Sequence, residues 1–194
     1  KDALDIGHLP KYEQLHKHDF FIFRAYTSNI NLNIDEIGEM SNKIAFFIFE
    51  DKLITIHRAH FSFLSIHEEK HIKLSELFLR IVGFMIDSFK KPTIELSNKI
   101  TQIEKTIFLK DYRVVLIEEL YFIKSQSRIL KKIISITQSI VQQSQDKYKV
   151  SYIHQDLQDQ LLHLLTMNEE SLENSTQLMN TYLSLSDQKN NEVV

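Results

Sequence analysis

Residues 151–194 read SYIHQDLQDQLLHLLTMNEESLENSTQLMNTYLSLSDQKNNEVV and contain neither Gly nor Pro. This uninterrupted stretch predicts one helix, which would extend ~66 Å at ~1.5 Å per residue. A seam of residues follows it in alternating steps of four and three: Leu157, Leu161, Leu164, Asn168, Ser171, Ser175, Leu178, Tyr182 and Leu185. Heptad spacing is typical of coiled-coil helices, so we expect the helix to pack beside copies of itself. The polar middle of the seam favours a wider bundle, or one that encloses water.

Composition indicates a folded domain with an extended appendage. Apolar residues make up 43% of the chain and charged residues 25%, which suffices for a core. The absence of Cys excludes disulfides, thiolate metal sites and cysteine nucleophiles. No apolar stretch is long enough to cross a membrane, and no signal peptide is visible. Because the chain starts at Lys1 and ends in mid-pattern at Val194, we interpret it as part of a longer protein.

Charge is unevenly distributed along the chain. Residues 151–194 hold seven acids and one base, whereas residues 1–150 carry a net charge of +3. A helix with this acidic bias is a poor nucleic-acid binder, so we expect no nucleic acid as a partner. The acidic residues would either attract cations or form a solvated face, and charge alone favours neither. Residues 124–132 include a basic stripe, which is either a solvated face or a contact with the acidic helix of a neighbouring copy: Lys124, Arg128, Lys131 and Lys132.

The first part of the chain, residues 1–74, predicts a small, mostly antiparallel sheet. Three short segments are rich in aromatic and β-branched residues: 20–26 (FFIFRAY), 43–50 (KIAFFIFE) and 53–58 (LITIHR). The last two predict a hairpin. Three strands make a poor sheet alone, so we expect further strands upstream of Lys1.

Helical periodicity follows, and the fold class is therefore α+β. Residues 75–150 predict an antiparallel helical pair, with one helix over 75–108 and another over 111–145. Pro92 is expected to kink or split the first of them. Residues 151–194 form the third unit, the long helix described above.

The end of the long helix, residues 182–193 (YLSLSDQKNNEV), resembles the segment before the first membrane span of CorA-like magnesium transport proteins. The start of the chain is similar to the family too, through residues 1–5 (KDALD), 10–13 (PKYE) and 20–24 (FFIFR). The strand pair, the Pro92 helix and the second helix follow in the family's order. The resemblance thus covers nearly the whole chain.

The resemblance implies a homopentameric ion channel of the cell (inner) membrane, not an enzyme. Divalent cations bound between neighbouring cytoplasmic domains would favour the closed state. Mg²⁺ is the implied regulatory and transported ion, with Co²⁺ or Zn²⁺ as alternatives. This chain has neither membrane span nor the family's Gly-Met-Asn motif. It would be the sensing part on the cytoplasmic side, joined to the membrane only through missing C-terminal spans.

The resemblance places the family's inter-subunit metal site on Asp2 and Asp156. Mg²⁺ prefers oxygen ligands and is usually held by one or two protein carboxylates. If the two Asp residues come from different subunits, assembly would depend on the Mg²⁺ concentration. The alternative is that Asp2 is a terminal residue and Asp156 an exposed acid near a helix N-terminus. A second family carboxylate falls at Gly83, which puts a second regulatory site in doubt. Three residues at steps of seven and four are expected to line the ion path: Asn180, Asp187 and Asn191.

Three further functions are compatible with the sequence. His67-Glu68-Glu69-Lys70-His71 matches the H-E-x-x-H signature, in which two His bind zinc and Glu activates water. A zinc metalloprotease also needs a third ligand and a cleft, and in a chain with nine His the match can arise by chance. The second function is that of a zinc-transporting relative of the same family, and the third is that of a non-transporting helical oligomerisation scaffold.

Overall fold

The computed structural model describes residues 7–28, 33–65, 72–109, 115–148 and 150–192. Four strands come first: β1 (Lys11–Gln14), β2 (Asp19–Tyr26), β3 (Ser41–Ile48) and β4 (Leu53–His57). A short helix, α1 (Ile37–Met40), separates β2 from β3. Four longer helices follow: α2 (Leu74–Asp87), α3 (Lys90–Leu109), α4 (Ile117–Ser144) and α5 (Ser151–Glu192). The predicted α+β class, ending in one long helix, is confirmed.

The four strands form one antiparallel sheet in the order β1-β2-β3-β4. The predicted hairpin is present, and the Phe49 N–H closes its loop by donating to the Lys52 carbonyl at 2.9 Å. The fourth strand, β1, was not predicted because its sequence KYEQ lacks an apolar alternation. The strand conformation of β1 comes from its pairing with β2 and not from an apolar pattern in its own residues.

The central strand β2 is buried on both faces. Phe21 and Phe23 point to the main core, where their rings lie 4.8 and 6.1 Å from the ring of Phe78 on α2. On the other face, Phe20 and Ile22 form a smaller cluster with β3. A strand covered on both sides explains why 20–26 is almost continuously apolar.

The first predicted helix is split into α2 and α3. The break lies at Ser88 and Phe89, just before Pro92, which then occupies the first turn of α3. Proline is tolerated there because the N–H that it lacks would have no helical partner. The Ser88 hydroxyl accepts a hydrogen bond from the Tyr26 N–H at 2.8 Å, so the break is held against the end of β2.

The heptad seam of α5 faces the interior of its own chain. Leu157, Leu161 and Leu164 are at most 2% exposed, and α5 packs against α3 and α4. The α3–α4 pair already covers the seam, so copies could not pack through it, and the packing of α5 beside copies of itself through another face stays a prediction. The buried Asn168 amide donates to the Thr93 hydroxyl at 3.0 Å. The polar middle of the seam thus packs between the helices of one chain.

Candidate functional site

A second row of residues on α5 lies opposite the seam. Each member follows a seam position by two residues, which is about 200° around a helix. We call this row the polar stripe, and all nine members are exposed: Asp159, His163, Thr166, Glu170, Glu173, Gln177, Asn180, Ser184 and Asp187. It contains four carboxylates and neither Lys nor Arg. The outer surface of α5 is therefore polar and acidic along most of its length.

The residues predicted for the ion path fall at the lower end of the polar stripe. Asn180 and Asp187 are exposed members of it. Asn191 continues the same spacing in the last turn of α5, but its side chain lies outside the described part of the chain. The upper end of the polar stripe, residues 159–177, was not predicted, although its two-residue offset from the seam would have indicated it.

The predicted sensor residues are only partly described. Asp156 is exposed on the second turn of α5, and Asp2 lies outside the described residues, so their pairing stays a prediction. At Gly83, α2 approaches α5 so closely that an added Cβ would lie 3.3 Å from Leu157 Cδ2. A carboxylate at this position would meet a leucine of its own chain, which adds a physical reason for doubt about a second regulatory site.

The described residues hold no ready-made metal cluster of three or more His, Asp or Glu side chains. The segment His67-Glu68-Glu69-Lys70-His71 lies outside the described residues, so its zinc signature is not tested. Within the described ranges, no helix combines the length and the apolar character needed to cross a membrane.

One carboxylate among the described residues is buried, and it was not predicted from the sequence. Asp19 at the start of β2 is 1% exposed, and Lys147 Nζ forms an ion pair with it at 2.7 Å. The Tyr148 hydroxyl donates a second hydrogen bond to Asp19, and burial together with this bond raises the pKa of Tyr148. The cluster joins the sheet to the turn between α4 and α5, beside a cavity of about 520 Å³. No motif signals it, because its partners are 128 and 129 residues apart.

The basic stripe of α4 is divided between two environments. Lys131 Nζ lies 3.1 Å from Glu169 of α5, so this base contacts the acidic helix of its own chain. Arg128 and Lys132 are exposed at the rim of a cavity of about 470 Å³, which Asp35 also lines. We call Arg128 and Lys132 the basic face. Arg128 and Lys132 fit the interpretation as a solvated face, Lys131 fits neither interpretation because its acidic partner belongs to the same chain, and a contact with a neighbouring copy stays a prediction.

The fold is similar to that of solved structures of low sequence identity. The ZntB cytoplasmic domain from Vibrio parahaemolyticus RIMD 2210633 superposes with a TM-score of 0.64 at 13% identity, covering 93% of this chain and 75% of that one. Full-length CmaX superposes with a TM-score of 0.63 at 16% identity, covering 96% of this chain and 57% of that one. At these identities the likeness shows the fold alone.

Sequence comparison gives two results. No curated protein matches the chain. The family model described as CorA-like Mg²⁺ transporter protein matches residues 1–194. Because that match runs over the full length, the chain belongs to the CorA-like Mg²⁺ transporter family.

Proposed function

We propose that this chain is the cytoplasmic ion-sensing and gating domain of a divalent-cation channel, with Mg²⁺ as the sensed and transported ion. In the whole protein five copies would form a ring in the cell (inner) membrane, with this domain on the cytoplasmic side. Carboxylates from neighbouring copies, Asp2 and Asp156, would bind the ion and favour the closed state.

The observation that carries this proposal is the polar stripe. All nine of its residues are exposed, and it runs from Asp159 to Asp187 without Lys or Arg. Copies of α5 arranged around a central axis would present carboxylates, amides and hydroxyls to the space between them. Hard, hydrated cations such as Mg²⁺ interact with such oxygen groups while keeping several waters.

The sensor role of Asp156 is supported by its placement. It is exposed, and in the described part of the chain it forms no ion pair. Such a carboxylate is available to a metal ion held between chains. Because Mg²⁺ is usually bound through one or two carboxylates, one Asp from each of two copies is a sufficient protein contribution.

Zn²⁺ is the second candidate ion, and one residue favours it. His163 lies in the polar stripe, one helical turn from Asp159, and is exposed. Imidazole nitrogen suits Zn²⁺, whereas Mg²⁺ prefers oxygen ligands. If Zn²⁺ is the ion, His163→Ala should abolish the thermal stabilisation produced by Zn²⁺. If Mg²⁺ is the ion, this variant should respond to Mg²⁺ as the unmodified chain does.

Sedimentation velocity tests the sensor. At high protein concentration, Mg²⁺ should shift the 194-residue chain to larger species, and EDTA should reverse the shift. Asp156→Asn should lose this response. Asp146→Asn should keep it, because it makes the same change at an exposed position outside α5. Identical profiles in Mg²⁺ and EDTA would contradict the proposal, and equal self-association in both would favour the oligomerisation scaffold.

A further inference from the structure

Within the described residues, the basic face of α4 forms no ion pair, although Asp35 lines the same cavity. Arg128 contacts the hydroxyl of Ser125 at 3.4 Å, and in this part of the chain neither Arg128 nor Lys132 forms an ion pair. Both are exposed at the rim of the 470 Å³ cavity. Two neighbouring cations on one open helix face form a surface that an acidic partner would fit.

Two acids of the polar stripe on α5 also form no ion pair in the described part of the chain. Glu170 and Glu173 are exposed, and the described part of the chain brings no Lys or Arg to either of them. Glu173 accepts one hydrogen bond, at 3.3 Å, from the Gln177 amide. Among the residues that the structure describes, each copy therefore carries two bases and two acids, on different surfaces, that lack a partner of opposite charge.

The two bases and the two acids lie at the same height along the helical bundle. The ion pair between Lys131 and Glu169 fixes this relation, because it joins α4 to the antiparallel α5 at 3.1 Å. Arg128, Lys132, Glu170 and Glu173 each lie within four residues of that contact, or about 6 Å along a helix. Rotation about an axis parallel to α5 leaves the height of every residue unchanged. In a ring around that axis, the basic face of one copy is level with Glu170 and Glu173 of the next.

We propose that neighbouring copies associate through ion pairs between Arg128 and Lys132 of one chain and Glu170 and Glu173 of the next. The inference rests on the ring of the proposed function and names a contact that holds it. Glu170 and Glu173 would then face the next chain, and Asp159 and Asp187 would remain for the cations in the space between copies. Such an interface is heterologous, since each chain contributes a different surface to each of its two neighbours. Because the pairs are solvent-exposed, salt weakens them.

Charge reversal on each side tests the contact. The Arg128→Glu/Lys132→Glu and Glu170→Lys/Glu173→Lys variants should each associate about ten- to thirty-fold more weakly than the unmodified chain. The variant with all four changes restores opposite charges across every contact and should associate like the unmodified chain. A matched control, Lys91→Glu/Lys105→Glu, makes the same change in net charge as the first variant at exposed positions of α3 and should associate normally.

Sedimentation velocity over a concentration series, at low salt and at about 0.5 M salt, gives the readout. Circular dichroism confirms that each variant is folded. The proposal is overturned if the two reversed variants match the α3 control, or if the four-fold variant stays as weak as its parents. An unmodified chain that remains monomeric in Mg²⁺ at its highest soluble concentration also overturns it.

The same series separates this contact from the ion sensor. If Mg²⁺ and EDTA give identical profiles but reversal and restoration behave as expected, the sensor fails and the contact stands. If the Asp156→Asn variant loses its Mg²⁺ response while charge reversal has no effect, the contact fails and the sensor stands.

Discussion

Two adjacent leucines on α5 provide a matched test of how this helix is oriented. Leu161 belongs to the seam and is 1% exposed, whereas Leu162 is 56% exposed. Changing either residue to Ala alters helix propensity equally and removes the same three carbon atoms. The difference between the two variants therefore isolates the burial of Leu161.

The expected magnitude follows from that burial. At about 0.8 kcal/mol per buried methylene, Leu161→Ala loses about 2.4 kcal/mol of transfer free energy. The cavity left behind raises the loss of unfolding free energy to about 3–4 kcal/mol. Leu162→Ala should stay within about 0.5 kcal/mol of the unmodified chain. For a chain of this size the Leu161 variant should therefore melt about 6–16 °C lower.

Thermal unfolding followed by circular dichroism, at two protein concentrations about tenfold apart, measures both the size and the origin of the effect. Because the seam packs inside one chain, the gap in melting temperature between the variants should not change with concentration. Equal losses for Leu161→Ala and Leu162→Ala would refute the orientation of α5. A gap that grows with concentration would instead indicate that the seam is an interface between copies.

Three further changes probe the packing around α5 and the sheet. Gly83→Leu should lower the free energy of unfolding by about 1–3 kcal/mol through overpacking, since even a Cβ there lies 3.3 Å from Leu157 Cδ2. Urea unfolding measures the loss, and an unchanged stability would contradict the close approach. Asp19→Asn should lower the free energy of unfolding by about 1.5–3 kcal/mol in the same assay, because charge-assisted hydrogen bonds to a buried carboxylate are lost. An unchanged free energy of unfolding would show that these hydrogen bonds contribute nothing. Burial lowers the pKa of His154 below 6.5, so as the pH falls this imidazole becomes protonated in the unfolded chain before it does in the folded chain. The free energy of unfolding should therefore decrease as the pH drops below about 6.5. His154→Gln should flatten this decline by up to about 1.4 kcal/mol per pH unit, and an unchanged pH profile would exclude His154 as its source.

Local signals predicted the elements that contain them. Continuous apolar and aromatic residues marked β2 and β3, and the split between α2 and α3 near Pro92 followed from the chemistry of proline. Strand β1 has no such signal, because its order comes from pairing with β2. The buried contacts of Asp19 were equally invisible, since the fold brings its partners from beyond the far end of α4.

The candidate site shows a different limit of sequence reasoning. Heptad spacing reports that a row of side chains is buried, but not whether the same chain or another copy buries it. Taken alone, the seam of α5 suggested copies; taken with α3 and α4, it is the core of one chain. The polar stripe could have been predicted from the same spacing, because it is the seam displaced by two residues.

The direction in which the seam faces bears on how an ion-controlled ring would work. Had the apolar seam joined the copies, separating them would expose a row of leucines, and the loss of a few cations would be too small a change to loosen the ring. With the seam covered by α3 and α4, the outer surface of α5 is the polar stripe. Contacts through exposed ion pairs and bridging cations are individually weak and sensitive to salt. A ring held by such contacts is one whose tightness the Mg²⁺ concentration can set, while each copy stays folded.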